Sequence, residues 1–465
     1  MEIKLQEKLI QWLLQPLANL MSRFSDKARE ILFTAAGLMI ALATFALANG
    51  NLVSVRYLYL YTFDCLMMGL MMLALLPEKL QPVHFDKILL TPWLIMGLFV
   101  LIAGITKNED VLPDAMLFLV AYPVFYIVAG NCGFRKILRM LLQIARLSFC
   151  VFWVLSFLFF PITGRQYSSF FHNTNGIAFY LALTFCCGLI GVLSGEWKRP
   201  VFFLDLAIAG SSAAIIYYSA SRSGMLSAGL TLVLTTLLMA LTDKKRFPQT
   251  LLRRVLPLLV SIVIFIPATL YVFRIPQAVS QLIATQTERP GQAEQPGQAE
   301  QPGQAEQPTP SVSDVMADIK QSNDNKLSLG GRDLNQYSTG RIAIWVSFAT
   351  HLQFWGHAEK ADFYVSETRH YSDAHQTILE LAYYCGILAG LGFLLFNLLA
   401  GVKSIRYALR RPEDRYALAP FAISITYGIL SLLAVLYVSF YSMPTFYYFL
   451  VQSPLMKRDG FGEEP

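Results

Sequence analysis

The sequence is poor in charge. Of its 465 residues only 15% are Asp, Glu, Lys or Arg, while 55% are hydrophobic. Soluble domains carry about 25% charged residues, so an ordinary water-soluble enzyme is excluded. Cysteine is also scarce. The six are Cys65, Cys132, Cys150, Cys186, Cys187 and Cys385; none lies in the longest polar segment and none forms a CxxC pair. That excludes a disulfide framework and a thiolate metal knuckle. Most sit in apolar runs, where a cysteine acts as a small hydrophobe. No short apolar run near the start is followed by a small-residue cleavage site, so no cleavable leader is expected. The net charge of +6 does not imply nucleic-acid binding, because its distribution has another cause.

What the chain has instead is apolar runs of bilayer length. They fall near 30–48, 57–76, 88–105, 111–130, 141–161, 175–194, 201–220, 223–242, 254–273, 376–402, 417–439 and 441–455. The expected fold is an all-α polytopic membrane protein with about twelve transmembrane helices. With the N-terminus placed in the cytoplasm, 24 of the 37 Lys and Arg residues fall in cytoplasmic segments. The short outer loops hold only Arg56, Lys107, Arg165 and Arg222. This asymmetry follows the positive-inside rule and sets the orientation, with both termini cytoplasmic. The expected organisation is a cytoplasmic amphipathic segment over 1–29, a bundle over 30–273, a long periplasmic loop over 274–374, a second bundle over 376–455, and a cytoplasmic tail over 456–465.

The long loop contains three copies of PGQAEQ, from Pro290 to Gln307. Proline and glycine every six residues, with nothing apolar to bury, predict a disordered spacer. Further on, the spacing of Ile342, Trp345, Phe348, Ala349 and Leu352 predicts a helix over 338–355, capped by Ser338 or Thr339 and ended by a turn at Gly356.

Polar residues gather on the outer side. Arg222, in YYSASRSGML, reads either as a snorkelling interfacial arginine or as an anion ligand. Around it Ser219, Ala220, Ser221, Ser223 and Gly224 are small enough to leave room for a ligand. Arg341, in STGRIAIW, is expected in the first turn of the loop helix, where a cation opposes the helix dipole; it is either solvated or holds an anion. His375 follows Asp373. With Asp373 as N-cap, the imidazole would lie in the first helical turn and stay neutral, as a general base must. Glu380 is expected at a similar depth. A secondary group, Arg165, His172, Asn173 and Asn175, precedes another span on the same face, where asparagine is most often a cap.

His370, Asp373 and His375, with His351 and His357 nearby, match no zinc spacing, and neither metal nor other cofactor is expected. A transporter would keep ionisable groups at mid-membrane. Asp64 is the main candidate there, with Asp114 and Asp205 nearer span ends.

Three motifs in this order resemble the O-antigen ligase family, within the wider group of O-antigen ligases, polymerases and oligosaccharyltransferases. They are SRSG at Ser221–Gly224, TGRIAIW at Thr339–Trp345 and AHQTILELAYYCGILAG at Ala374–Gly390, the last just after a long outer loop. The motifs cover about forty residues, and the topology covers the whole chain. The resemblance implies a glycosyltransferase of the bacterial inner membrane with a periplasmic active site. The donor would be an undecaprenyl-pyrophosphate-linked glycan and the acceptor lipid A–core oligosaccharide. It implies that Arg222 and Arg341 bind the pyrophosphate and that His375 activates the acceptor. The family often has Asn where this chain has Gln376, and the hexapeptide array is not a family feature. An O-antigen polymerase or a protein O-oligosaccharyltransferase would use the same donor, and a glycan flippase is the rival of a different class.

Overall fold

A computed structural model describes residues 2–48, 57–107, 109–162, 166–171, 173–196, 198–287, 317, 320–321, 340–366, 369–436 and 443–458. The chain is predominantly helical. Helix α1 runs from Glu2 to Met21 through a π-helical turn at Ile10–Leu14. Then follow α2 (Asp26–Ala48), α3 (Tyr57–Leu75), α4 (Lys87–Thr106), α5 (Leu112–Gly130), α6 (Phe134–Phe159), α7 (Thr174–Ser194), α8 (Pro200–Ser219), α9 (Arg222–Thr242) and α10 (Phe247–Thr287). The polar loop contributes α11 (Arg341–Thr350) and a two-stranded antiparallel hairpin, β1 (Phe363–Ser366) with β2 (Arg369–Tyr371). The chain then forms α12 (Thr377–Cys385), α13 (Ile387–Arg410), α14 (Arg415–Leu433) and α15 (Met443–Val451).

Among the described residues ten helices are long and apolar enough to cross a membrane. They are α2, α4 to α10, α13 and α14, which makes the chain a multi-pass membrane protein. α3 has 19 residues. The helices depart from the expected spans at three places. The run at 376–402 is broken at Gly386, so the span begins at Ile387 and α12 is a separate short helix. The run at 417–439 ends its helix at Leu433. The run at 441–455 yields only the nine residues of α15. At about 1.5 Å per residue that is roughly half a hydrocarbon core. The hexapeptide array, Pro290–Gln307, lies outside the described residues.

The most enclosed span is α7, with 89% of its apolar stretch buried; α10, at 28%, is peripheral. α7 packs on α8, α9 and α14. Close approach to α9 depends on Gly224, where a Cβ would sit 2.8 Å from that of Ala178. A second centre surrounds Trp93 of α4. Its indole N–H donates to Phe118 O at 2.8 Å, and its ring meets Phe118, Tyr122, Tyr126, Phe396 and Phe449 edge-on. Edge-to-face aromatic packing of this kind adds to simple burial.

Basic side chains satisfy helix C-termini at one end of the bundle. Arg29 donates to Ala74 O in the last turn of α3 and to Leu76 O just past it, and Arg254 to Val192 O and Leu193 O in the last turn of α7. The last carbonyls of a helix lack intrahelical donors, and a cation there also complements the dipole. Inside the bundle Arg146 of α6 grips Asp205 of α8 bidentately, at 2.7 and 2.9 Å. Asp205 is thus held in an interhelical ion pair.

Candidate functional site

Three chain segments far apart in sequence meet where α9, α11 and α12 begin. The α8–α9 turn is the first. Ala220 takes a left-handed conformation (φ 50°), and Ser221 caps α9 by accepting from the Gly224 N–H. Arg222 is therefore the first residue of α9. The small residues around it are turned into the protein, while Arg222 itself is half-buried. Ser219, Ala220, Ser221 and Ser223 are all buried. Their hydroxyls are used internally: Ser219 Oγ donates to Ile216 O at 2.7 Å, and Ser221 Oγ to Asn175 Oδ1 at 3.2 Å. Asn175 is thus brought to the turn that carries Arg222. The cap of α7 is its neighbour Asn173, which accepts from the Gly176 N–H at 2.7 Å. Arg165 and His172 lie outside the described residues.

The second segment is α11. Gly340, left-handed at φ 85°, occupies the cap position, and Arg341 is the first helical residue. Ser338 and Thr339 lie outside the described residues. The buried stripe of α11 is Ile344 and Phe348, rotated from the face expected from spacing; Ala349 is exposed. The cause is the partner surface. Phe348 packs on Phe363 of β1 and Tyr383 of α12, with ring centroids 5.0 and 4.9 Å apart.

The third segment corrects the expected helix start. Asp373 does not cap α12. Gln376 does, its side chain accepting from the Leu379 N–H at 2.6 Å. His375 precedes the helix and is left-handed, φ 49°, and so does not lie in the first helical turn. Asp373 instead accepts from the His375 backbone N–H at 3.0 Å and lies 2.5 Å from His375 Nδ1. That contact sets Nδ1 against the carboxylate and turns Nε2 away from it. The two side chains are 40% and 43% exposed, enough to meet a substrate. Glu380, 6% exposed, accepts from the Ala374 N–H at 2.6 Å. Thr377 anchors the same end, donating to Ala434 O at 2.8 Å and accepting from the Leu436 N–H at 2.9 Å.

Electrostatics join the segments. Burial lowers the Arg341 guanidinium below its ordinary value; the Arg222 charge lowers it further, while Asp373 opposes both. Burial raises the Asp373 carboxyl, but His375 and then Arg341 outweigh it and hold the group below the usual carboxylate range. Burial raises Glu380 from 4.5 to about 8, with the Ala374 N–H opposing and Asp373 adding to the rise. Arg222, Arg341, Asp373 and His375 therefore share one neighbourhood. Two like charges that act on each other, each on the first residue of a helix, form an environment that favours an anion.

No family model matches this chain, and no curated protein matches it. The residues alone carry the functional argument.

A backbone clamp ties the far end of α12 to the turn after α11. Gly386 (φ 99°) and the turn at Gly356 (φ 79°) meet main chain to main chain. A Cβ on Gly386 would lie 2.3 Å from Phe354 O, and one on Gly356 2.3 Å from Tyr384 O. His357 N donates to Tyr383 O at 2.9 Å, its ring stacks on Tyr383 at 4.1 Å, and Lys107 donates to Gly356 O. The Asp373–His375 pairing and this clamp were missed from sequence. The Asp-x-His spacing was a usable signal, since Asp commonly accepts from the N–H two residues on.

Proposed function

We propose that this chain is an O-antigen ligase. It transfers an undecaprenyl-pyrophosphate-linked polysaccharide onto lipid A–core oligosaccharide at the periplasmic face of the bacterial inner membrane. In this reading both termini are cytoplasmic and residues 274–374 form the periplasmic loop. The observation that carries it is the gathering of Arg222, Arg341, Asp373 and His375 at one end of a multi-pass helical bundle. Arg222 and Arg341 bind the donor pyrophosphate. The acceptor hydroxyl gives its proton to His375 Nε2 as its oxygen attacks the anomeric carbon. The bond from that carbon to the pyrophosphate oxygen breaks, and the leaving charge develops against the two guanidiniums. Asp373 holds the imidazole in the tautomer this needs. The energy is carried by the donor, so no nucleotide is consumed. The lipid tail lies among the spans and the glycan in water.

The test uses purified protein, the lipid-linked donor, and lipid A–core, a second lipid-linked glycan or an acceptor protein. Transfer to lipid A–core that His375→Ala abolishes, in protein that still behaves as folded, is the expected result. Transfer by His375→Ala at the parental rate would overturn the base assignment. Transfer only to the second glycan or to protein would instead make the chain a polymerase or a protein O-oligosaccharyltransferase.

A further inference from the structure

Helix α1 has three faces, and the bundle accounts for only one. Gln6, Ile10, Leu14, Ala18 and Met21 are buried against the protein. Two glutamines dock this face onto the linker between α3 and α4. Gln6 Nε2 donates to Val83 O at 3.0 Å and its Oε1 accepts from the Val83 N–H at 2.8 Å. Gln15 Nε2 donates to Glu78 O at 2.7 Å and its Oε1 accepts from the Leu80 N–H at 3.3 Å. The linker joins the end of one antiparallel helix to the start of the next, so it runs across the end of the bundle. A helix bound to it at two points nine residues apart lies across that end as well.

The second face is apolar and uncovered: Leu5 is 71% exposed, Trp12 82%, Leu13 52% and Leu20 51%. The third is polar, with Lys4, Lys8, Gln11 and Asn19 exposed. The apolar series continues through Phe24 (53%) and Ile31 (60%) onto the outer flank of α2, itself a span. A water-bathed helix would not expose such a row, and a helix crossing the bilayer would not carry the polar one.

We infer that α1 lies in the plane of the membrane, at the acyl–headgroup boundary of the leaflet facing the α3–α4 linker. Leu5, Trp12, Leu13 and Leu20 enter the lipid, and Lys4 and Lys8 meet the headgroup phosphates. The occupant is lipid rather than a second chain because the apolar row runs directly into a membrane-crossing surface. The inference does not depend on the proposed enzyme function.

Tryptophan quenching in proteoliposomes tests it. The fluorescence lost in Trp12→Phe is the Trp12 component. Lipids brominated on the acyl chain should quench that component strongly, and aqueous iodide only weakly. In the Trp12→Phe background, Gln11→Trp moves the reporter to the polar face and should reverse the pattern. A Trp12 component quenched by iodide and not by brominated lipid would overturn the inference in favour of a solvated helix. A component quenched by neither would also overturn it, in favour of a protein partner.

Discussion

Replacing Glu380 with Gln should stabilise the protein, and increasingly so as pH rises. The carboxyl is buried and titrates near 8 instead of 4.5. Between those values the folded state holds a proton that the unfolded state has released. Native stability therefore falls as pH climbs from about 4.5 to about 8 and is flat above. Each pH unit in that window costs about 1.4 kcal/mol, so at pH 7 the wild type has lost about 3 kcal/mol relative to pH 4.5. Gln has nearly the same shape and never ionises, and its amide oxygen can still accept the Ala374 N–H. Glu380→Gln should thus match the wild type near pH 4.5 and exceed it by about 3 kcal/mol at pH 7. Thermal unfolding of both proteins in detergent, from pH 4.5 to 9, reads the difference directly. Midpoint curves that run parallel across this range would refute the reasoning, since the slope itself is assigned to this one carboxyl.

Two further substitutions probe the neighbouring geometry. Asp373→Asn removes the charge that fixes the imidazole tautomer while keeping an acceptor for the His375 N–H; on the proposed reaction kcat should fall by about 10²-fold or more with little change in KM. Steady-state transfer rates check this, and a parental kcat would mean that Asp373 does not orient His375. Gly386→Ala places a Cβ 2.3 Å from Phe354 O at a backbone of φ 99°, a conformation held almost only by glycine, and should cost about 2–3 kcal/mol. A thermal midpoint unchanged by Gly386→Ala would show that the clamp can open without loss.

The bundle was legible because hydropathy acts along one helix at a time. A stretch such as Thr174–Ser194 announces its own burial in lipid or protein. Lateral arrangement leaves no such trace. Arg146 and Asp205 are 59 residues apart, on helices whose apolar character says nothing about their facing each other. The break at Gly386 was equally silent. The apolar run passes through it, and glycine is common within membrane helices. What makes this one a break is Gly356, thirty residues earlier, whose turn needs its main chain. The same reason rotated the buried face of α11: the spacing of Ile342, Trp345 and Ala349 describes a helix in isolation, while the ring cluster of Phe363 and Tyr383 selects Ile344 and Phe348.

At the candidate site, local preference misjudged the backbone conformation. Asp is a far better helix cap than Gln, so local preference pointed to Asp373 and put His375 inside the helix. The fold uses Gln376 instead, and that displacement gives His375 its left-handed backbone. A non-glycine residue in that conformation costs roughly 1–2 kcal/mol. It is held there from both sides: the Asp373 carboxylate bonds its N–H, Glu380 bonds the N–H before it, and Gln376 and Thr377 fix the helix after it. Backbone strain secured by this many independent bonds occurs where a side chain must be presented in one direction. Asp373 Oδ1 faces both the backbone N–H and Nδ1 of His375, and it can do so because residue 375 is left-handed. Had Asp373 capped the helix, residue 375 would have been helical and right-handed, and that fold of the imidazole back onto the carboxylate would have been lost. The cap at Gln376 is therefore what leaves His375 free to take the conformation that pairs it with Asp373.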